Sequence, residues 1–185
     1  MTKKLYWDNP YQKEFEAKVA KIEGKQVWLD QTCFYPESGG QAGDTGTING
    51  QKVVDTRFDS ERNIIHVMEQ EPVFRAGDVI RGEIDWERRY KIMRIHAASH
   101  IMEYFLFQVF GELKLVGSHL NEKHDSSTYE SEERLDSEKI AEVERKANEF
   151  ISKNLPIETW SDEKNILQIL EVRGNSNALR RHSST

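Results

Sequence analysis

The stretch Trp86 to Phe110, WERRYKIMRIHAASHIMEYFLFQVF, contains neither glycine nor proline and is followed directly by Gly111. A run of that length without a helix breaker, closed by a glycine suited to a helix C-cap, predicts one long α-helix. Upstream the period changes. Phe15-Glu-Ala-Lys-Val19 alternates, Glu23-Gly24-Lys25 offers a turn before Val27-Trp28-Leu29, and Asn49-Gly50 between Thr47-Ile48 and Lys52-Val53-Val54 is a strong hairpin signal, since both central residues adopt positive φ readily. Ile64 to Met68 and, after a Gly77-Asp78 turn, Val79 to Ile84 extend the series, which predicts a small barrel or curled sheet. Downstream, Leu113 to Tyr129 reads as a strand or two. Asp136 stands at the N-cap position of a second helix in which Ile140, Val143, Ala147, Phe150 and Ile151 share a face, Glu142–Lys146 and Glu149–Lys153 form i,i+4 pairs, and Pro156 ends the element. Ile157 to Trp160 is expected as a strand, Asp162 to Leu170 as a short helix. The predicted class is α+β: a β-barrel-like domain over residues 1–85, an α/β domain over 86–172, and a poorly ordered tail over 173–185.

Composition narrows the function classes. With 185 residues, 37% hydrophobic and 31% charged, the chain can bury a core for one large domain or two small ones, and it is neither disordered nor collagen-like. The longest apolar stretch, Ile101 to Phe110, carries Glu103 and Gln108 and falls short of the roughly 20 residues of a membrane span. The N-terminus has charges but no apolar run behind them, so no secretory signal is expected, and a single cysteine, Cys33, excludes a disulfide framework. The expected compartment is the reducing cytoplasm. The net charge of -6 is unevenly spread: Arg88, Arg89, Lys91 and Arg94 face only Glu87 between Trp86 and Ile95, whereas Glu122 to Glu149 is strongly acidic. The basic segment reads either as a solvated helix face or as a phosphate-facing one.

Two groups of residues could carry chemistry. His96 and His100, four apart in the long helix, project from one face about 6 Å apart at Cβ, a spacing that suits one metal ion. Two ligands do not make a site, because zinc takes three or four, and a pair of hydrogen-bonded histidines at a core edge fits the same spacing. The segment Thr32 to Gly46, TCFYPESGGQAGDTG, places Gly39, Gly40, Gly43 and Gly46 between strands. Glycines there allow close approach of a ligand to backbone N–H donors or simply a tight turn; no Gly-Lys-Ser/Thr follows, so it is not a phosphate loop. Cys33 reads as a buried small hydrophobe and His66 as a satisfied sheet histidine.

Taken together, TCFYPESGGQAGDTGTI followed about fifty residues later by RRYKIMRIHAASHIMEYF resembles the editing module of alanyl-tRNA synthetases and the free-standing AlaX trans-editing proteins. The resemblance extends over roughly Leu5 to Leu170, including GSHL at Gly117 to Leu120. It implies a small β-barrel-like domain followed by an α/β editing domain of the threonyl/alanyl-tRNA synthetase type. It also implies hydrolysis of the ester in Ser- or Gly-tRNA(Ala), with Zn2+ as cofactor and mischarged tRNA as partner. Such a second hydrolytic site is needed where binding alone separates similar amino acids by only about 1–3 kcal/mol. Residue by residue, the resemblance makes His96 and His100 the zinc pair, Thr32 and Gln41 pocket residues in the catalytic centre, Gly39 and Gly40 its glycine wall, and Ser38 a replacement for a third glycine there. Arg88, Arg89 and Arg94 become contacts to the acceptor end. Members complete their zinc site with a C-terminal Cys and His of the type CGGTH, which this sequence lacks; His182 is the one weak candidate in the tail. Weakened hydrolysis is therefore expected, or, as the alternative, a tRNA-binding module that no longer hydrolyses. A start at Met1 with no adenylation-domain material is expected of a free-standing protein.

Overall fold

The computed structural model describes residues 2–131, 134–162 and 165–172. Its class is α+β, as the sequence predicts. The elements are β1 (Lys3–Lys4), α1 (Leu5–Asp8), β2 (Glu14–Glu23), β3 (Gln26–Leu29), β4 (Gln31–Thr32), β5 (Gly46–Ile48), β6 (Gln51–Phe58), β7 (Ile64–Met68), β8 (Val79–Ile84), α2 (Trp86–Phe110), β9 (Lys114–Leu120), β10 (Asp125–Glu130), α3 (Ser137–Ser152), β11 (Ile157–Asp162) and β12 (Asn165–Val172). Packing separates two compact units, one of residues up to His96 with Leu115–Tyr129, the other of Ala97–Lys114 with the described residues from Glu130 onward.

In the first unit β2, β3, β7, β6, β5 and β8 close into an antiparallel barrel. Closure removes the exposed sheet edges that short strands would otherwise present. The alternation of β2 turns Phe15, Ala17 and Val19 inward, where they meet Val27, Leu29, Phe34, Ile48, Val53, Met68, Ile80 and Ile84. The Asn49-Gly50 hairpin forms as expected, with φ of 47° and 76° joining β5 to β6. β1 lies parallel to β4, and β9 and β10 form a separate two-stranded sheet.

The start of α2 is tied to the barrel by charge as well as by packing. Asp85 caps the helix, its carboxylate accepting from the Arg88 N–H at 3.0 Å. Arg89 is 4% exposed; its Nε donates to both oxygens of the buried Asp44 at 2.9 Å, and its Nη2 donates to Asp44 and, at 2.8 Å, to the Cys33 carbonyl. Asp44 Oδ2 also accepts from the Tyr35 N–H at 2.6 Å.

In the second unit, Asp136 caps α3 as predicted, accepting from Glu138 and Lys139 N–H. Val143 and Ala147 are buried, Phe150 meets Phe105 edge-on at 5.9 Å, and Ile140 and Ile151 stay exposed at the margins of that face. Glu142 pairs with Lys146 as expected, but Glu149 pairs with Arg145 rather than Lys153, whose ammonium lies over the Phe150 ring. The short helix expected over Asp162 to Leu170 is overturned: Asn165–Val172 is a strand, antiparallel to β11. Its β-branched Ile166, Ile169 and Val172 favour the extended state, and the pairing with β11 supplies the backbone partners that a sequence reading cannot see. The expected tail over 173–185, with His182, lies outside the described residues. Among the described residues no helix is long and apolar enough to cross a membrane.

Breaking a buried ion pair by removing one partner leaves the other charge uncompensated, which costs about 3–5 kcal/mol. Asp44→Ala is therefore expected to destabilise the protein by that amount, seen as a lower urea midpoint with little change in slope.

Candidate functional site

The segment Ser38-Gly39-Gly40-Gln41 is a tight two-residue turn: the Ser38 and Gln41 backbones exchange N–H···O bonds of 3.1 and 3.0 Å, with Gly39 and Gly40 at φ of 59° and 84°. Both glycines are thus in the left-handed region that the turn requires. The turn docks on β9 through Leu120 N–H to the Gly40 carbonyl and Ala42 N–H to the Leu120 carbonyl, each 2.9 Å. A Cβ on Gly40 would run into the Ser118 carbonyl, so this position combines a turn constraint with a close backbone approach.

This arrangement aims Gln41. Its Oε1 lies 2.7 Å from His96 Nδ1. An amide oxygen only accepts, so Nδ1 carries the proton, and in the neutral ring Nε2 carries the lone pair. His100 follows one turn later on α2 and is about a third exposed; its Nδ1 is 3.8 Å from Oε2 of Glu103, an ion-pair rather than a hydrogen-bond distance. Glu103, three residues on, is 6% exposed. Of the two histidines, His96 has an acceptor oxygen hydrogen-bonded at its Nδ1, the kind of contact that fixes the tautomer of an imidazole. Among the described residues no group of three or more His, Cys, Asp and Glu side chains could hold a metal.

Thr32 is fully buried. Its Oγ1 accepts from the Phe34 N–H at 3.1 Å and lies 2.8 Å from His66 Nε2, while His66 Nδ1 lies 3.1 Å from the Val27 carbonyl. The carbonyl obliges Nδ1–H to donate, so the Thr32 hydroxyl donates to Nε2. Thr32 is thus held between the Phe34 N–H and the His66 ring. His66 is the satisfied sheet histidine the sequence predicts; burial pushes it down to about 4 from an ordinary 6.5. Cys33 is buried in the barrel core, and burial pushes its thiol up to about 11, against any role as a thiolate.

The basic segment is largely engaged by the protein's own groups. Arg89 faces Asp44 inside the protein rather than a phosphate. Arg88 is four-fifths buried, with Nη1 donating to the Gly43 carbonyl and Nε 3.3 Å from Glu122. Lys91 pairs with Glu87. Arg94 alone keeps an exposed guanidinium without an ion pair among the described residues. The sequence reading missed Asp44, Glu122 and Glu103. Only Glu103 left a visible signal, a carboxylate interrupting the apolar run that begins at Ile101.

Comparison with known proteins supports the resemblance. The model of class II (A) tRNA synthetases matches residues 5–88. The alanyl-tRNA editing protein AlaX-M of Saccharolobus solfataricus is 34% identical over 165 residues, which cover 86% of this chain and 68% of that protein. The chain belongs to the AlaX-M family. The AlaX-M protein of Pyrococcus horikoshii is 47% identical over 120 residues, 64% of this chain and 56% of its own length. An alanine–tRNA ligase of Thermococcus kodakarensis is 37% identical over 163 residues, 86% of this chain but 18% of the ligase. The chain therefore matches about half of the Pyrococcus AlaX-M protein and under a fifth of the ligase.

The buried His66 makes the stability of this AlaX-M barrel depend on pH. Its pKa is about 4 when folded against 6.5 when exposed, so below pH 6.5 the unfolded chain binds more protons. The His66 contribution is complete above pH 6.5 and is lost as pH falls toward 4, by about 3 kcal/mol in all. Urea unfolding followed from pH 7 to 4 checks this: subtracting the His66→Gln profile from the wild-type profile should leave that slope, and a flat difference would rule out a buried neutral imidazole.

Proposed function

We propose that this chain is an aminoacyl-tRNA deacylase of the cytoplasm, hydrolysing the ester of mischarged alanine tRNA, Ser- or Gly-tRNA(Ala), with zinc bound at His96 and His100. The observation that carries this reading is the Gln41 to His96 contact, which joins the glycine-rich turn to the histidine helix in a chain whose relatives are named alanyl-tRNA editing proteins. When bound, zinc supplies Lewis-acid polarisation of an ester carbonyl or a water.

The protein's own groups do the positioning. Gln41 accepts a hydrogen bond from His96 Nδ1–H and so leaves Nε2 as the ligand nitrogen, while Glu103 lies near His100. Gly39 and Gly40 leave one wall without side chains, and the half-buried Ser38 and Gln41 border it. Thr32 and Gln41 are the hydrogen-bonding groups that a seryl hydroxyl can use and an alanyl methyl cannot, with Ser38 beside them. The resulting discrimination between esters is the work a second sieve performs.

The test combines metal analysis with deacylation. Protein equilibrated with trace zinc should retain it, and His96→Ala and His100→Ala should each release it. Gln41→Ala should weaken zinc binding by about 10–100-fold, the effect of losing a partner that orients a ligand. Seryl-tRNA(Ala) should be hydrolysed faster than alanyl-tRNA(Ala), and a chelator should stop the reaction. A chain that binds tRNA but holds no zinc and cleaves neither ester is the non-hydrolysing module instead.

A further inference from the structure

A cluster of aromatic rings at the start of α2 has no part in the chemistry above. Trp86 and Tyr90, one turn apart, stack with centroids 5.7 Å apart and planes inclined by 23°. Tyr11, from the segment between α1 and β2, leans on Trp86 at 5.7 Å. Lys13 Nζ lies 5.0 Å over the Trp86 ring. Trp86 packs inward against the barrel core, yet Tyr11 is 59% and Tyr90 44% exposed. The rings therefore form an assembled platform that remains open to a further planar group.

Charge indicates which planar group fits. The acids beside the platform are engaged, Glu87 with Lys91 and Asp85 with the first turn of α2. Lys13 at one end and Arg94, one turn beyond Tyr90, at the other make no ion pair among the described residues. A stack of π faces between two available cations suits a base with its flanking phosphates better than an apolar peptide, for which cations at both ends offer nothing.

We infer that Tyr11, Trp86 and Tyr90 stack an unpaired nucleobase from the single-stranded 3′ end of the RNA substrate, with Lys13 and Arg94 on adjacent phosphates. The inference rests on the aminoacyl-tRNA reading above. Tyr90 and His96 are six residues apart on the same helix, about 9 Å along its axis and about 120° around it, a separation that the nucleotides between a stacked base and the terminal ester would span.

The test titrates the full chain with an uncharged hexaribonucleotide ending in CCA and follows tryptophan fluorescence. Tyr90→Ala and Tyr11→Ala should each raise Kd about tenfold, the low end of what one base–aromatic stack contributes, and Tyr90→Phe should restore it. Trp86→Phe should keep binding while removing the fluorescence change. With seryl-tRNA(Ala), Tyr90→Ala should raise KM and spare kcat. Unchanged Kd and KM in both alanine variants would overturn the platform even if deacylation is intact. If no ester is hydrolysed but oligonucleotide binding still requires Tyr90, the platform stands and the deacylase reading falls. If Tyr90→Ala changes only the oligomeric state in sedimentation, the rings are a contact between copies of the chain and the inference is overturned.

Discussion

The buried pair of Asp44 and Arg89 is the constraint on which the site depends. Taking two charges out of water is costly, and such a pair is tolerated only when its remaining donors and acceptors are also bonded. Here they are: Asp44 accepts from Arg89 and the Tyr35 N–H, and Arg89 also reaches the Cys33 and Pro10 carbonyls. The pair thereby links the glycine-rich loop, the strand end before it, the segment after α1 and the first turns of α2.

Its geometry carries through to the histidines. Arg89 and His96 are seven residues apart, two helical turns, so anchoring the first turns the second toward the same barrel surface. Gln41 precedes Asp44 by three residues in the loop that the carboxylate pins. One ion pair thus sets both partners of the 2.7 Å contact between Gln41 and His96. The Gly40 turn adds the other half of the constraint, because its docking on β9 leaves no room for a side chain.

The arginines also show why charge counted along a sequence overstates a binding surface. Four basic residues within ten positions read as one face, but an α-helix distributes consecutive residues around its axis. Arg89 therefore points inward, Arg88 lies along the boundary and Arg94 faces solvent. The aromatic rings of the same segment follow the same rule: Trp86 and Tyr90 share a face because they are four apart.

The barrel strands, the Asn49-Gly50 hairpin, the uninterrupted helix after Asp85, the Asp136 cap and the i,i+4 spacing of His96 and His100 were legible in the sequence. Each depends on residues within one or two turns of each other, where hydrophobic period, φ preference and capping act. The motif order in Thr32 to Ile48 and in Arg88 to Phe105 was equally legible and pointed to the alanyl-tRNA synthetase editing module and the AlaX proteins. Tertiary structure alone decided that Asp44 is buried against an arginine 45 residues away, that the Thr32 hydroxyl is enclosed by His66, that Glu103 stands buried beside His100 and that Asn165–Val172 pairs as a strand. Those outcomes turn on which distant groups meet once water is excluded, and no local pattern of residues encodes that choice.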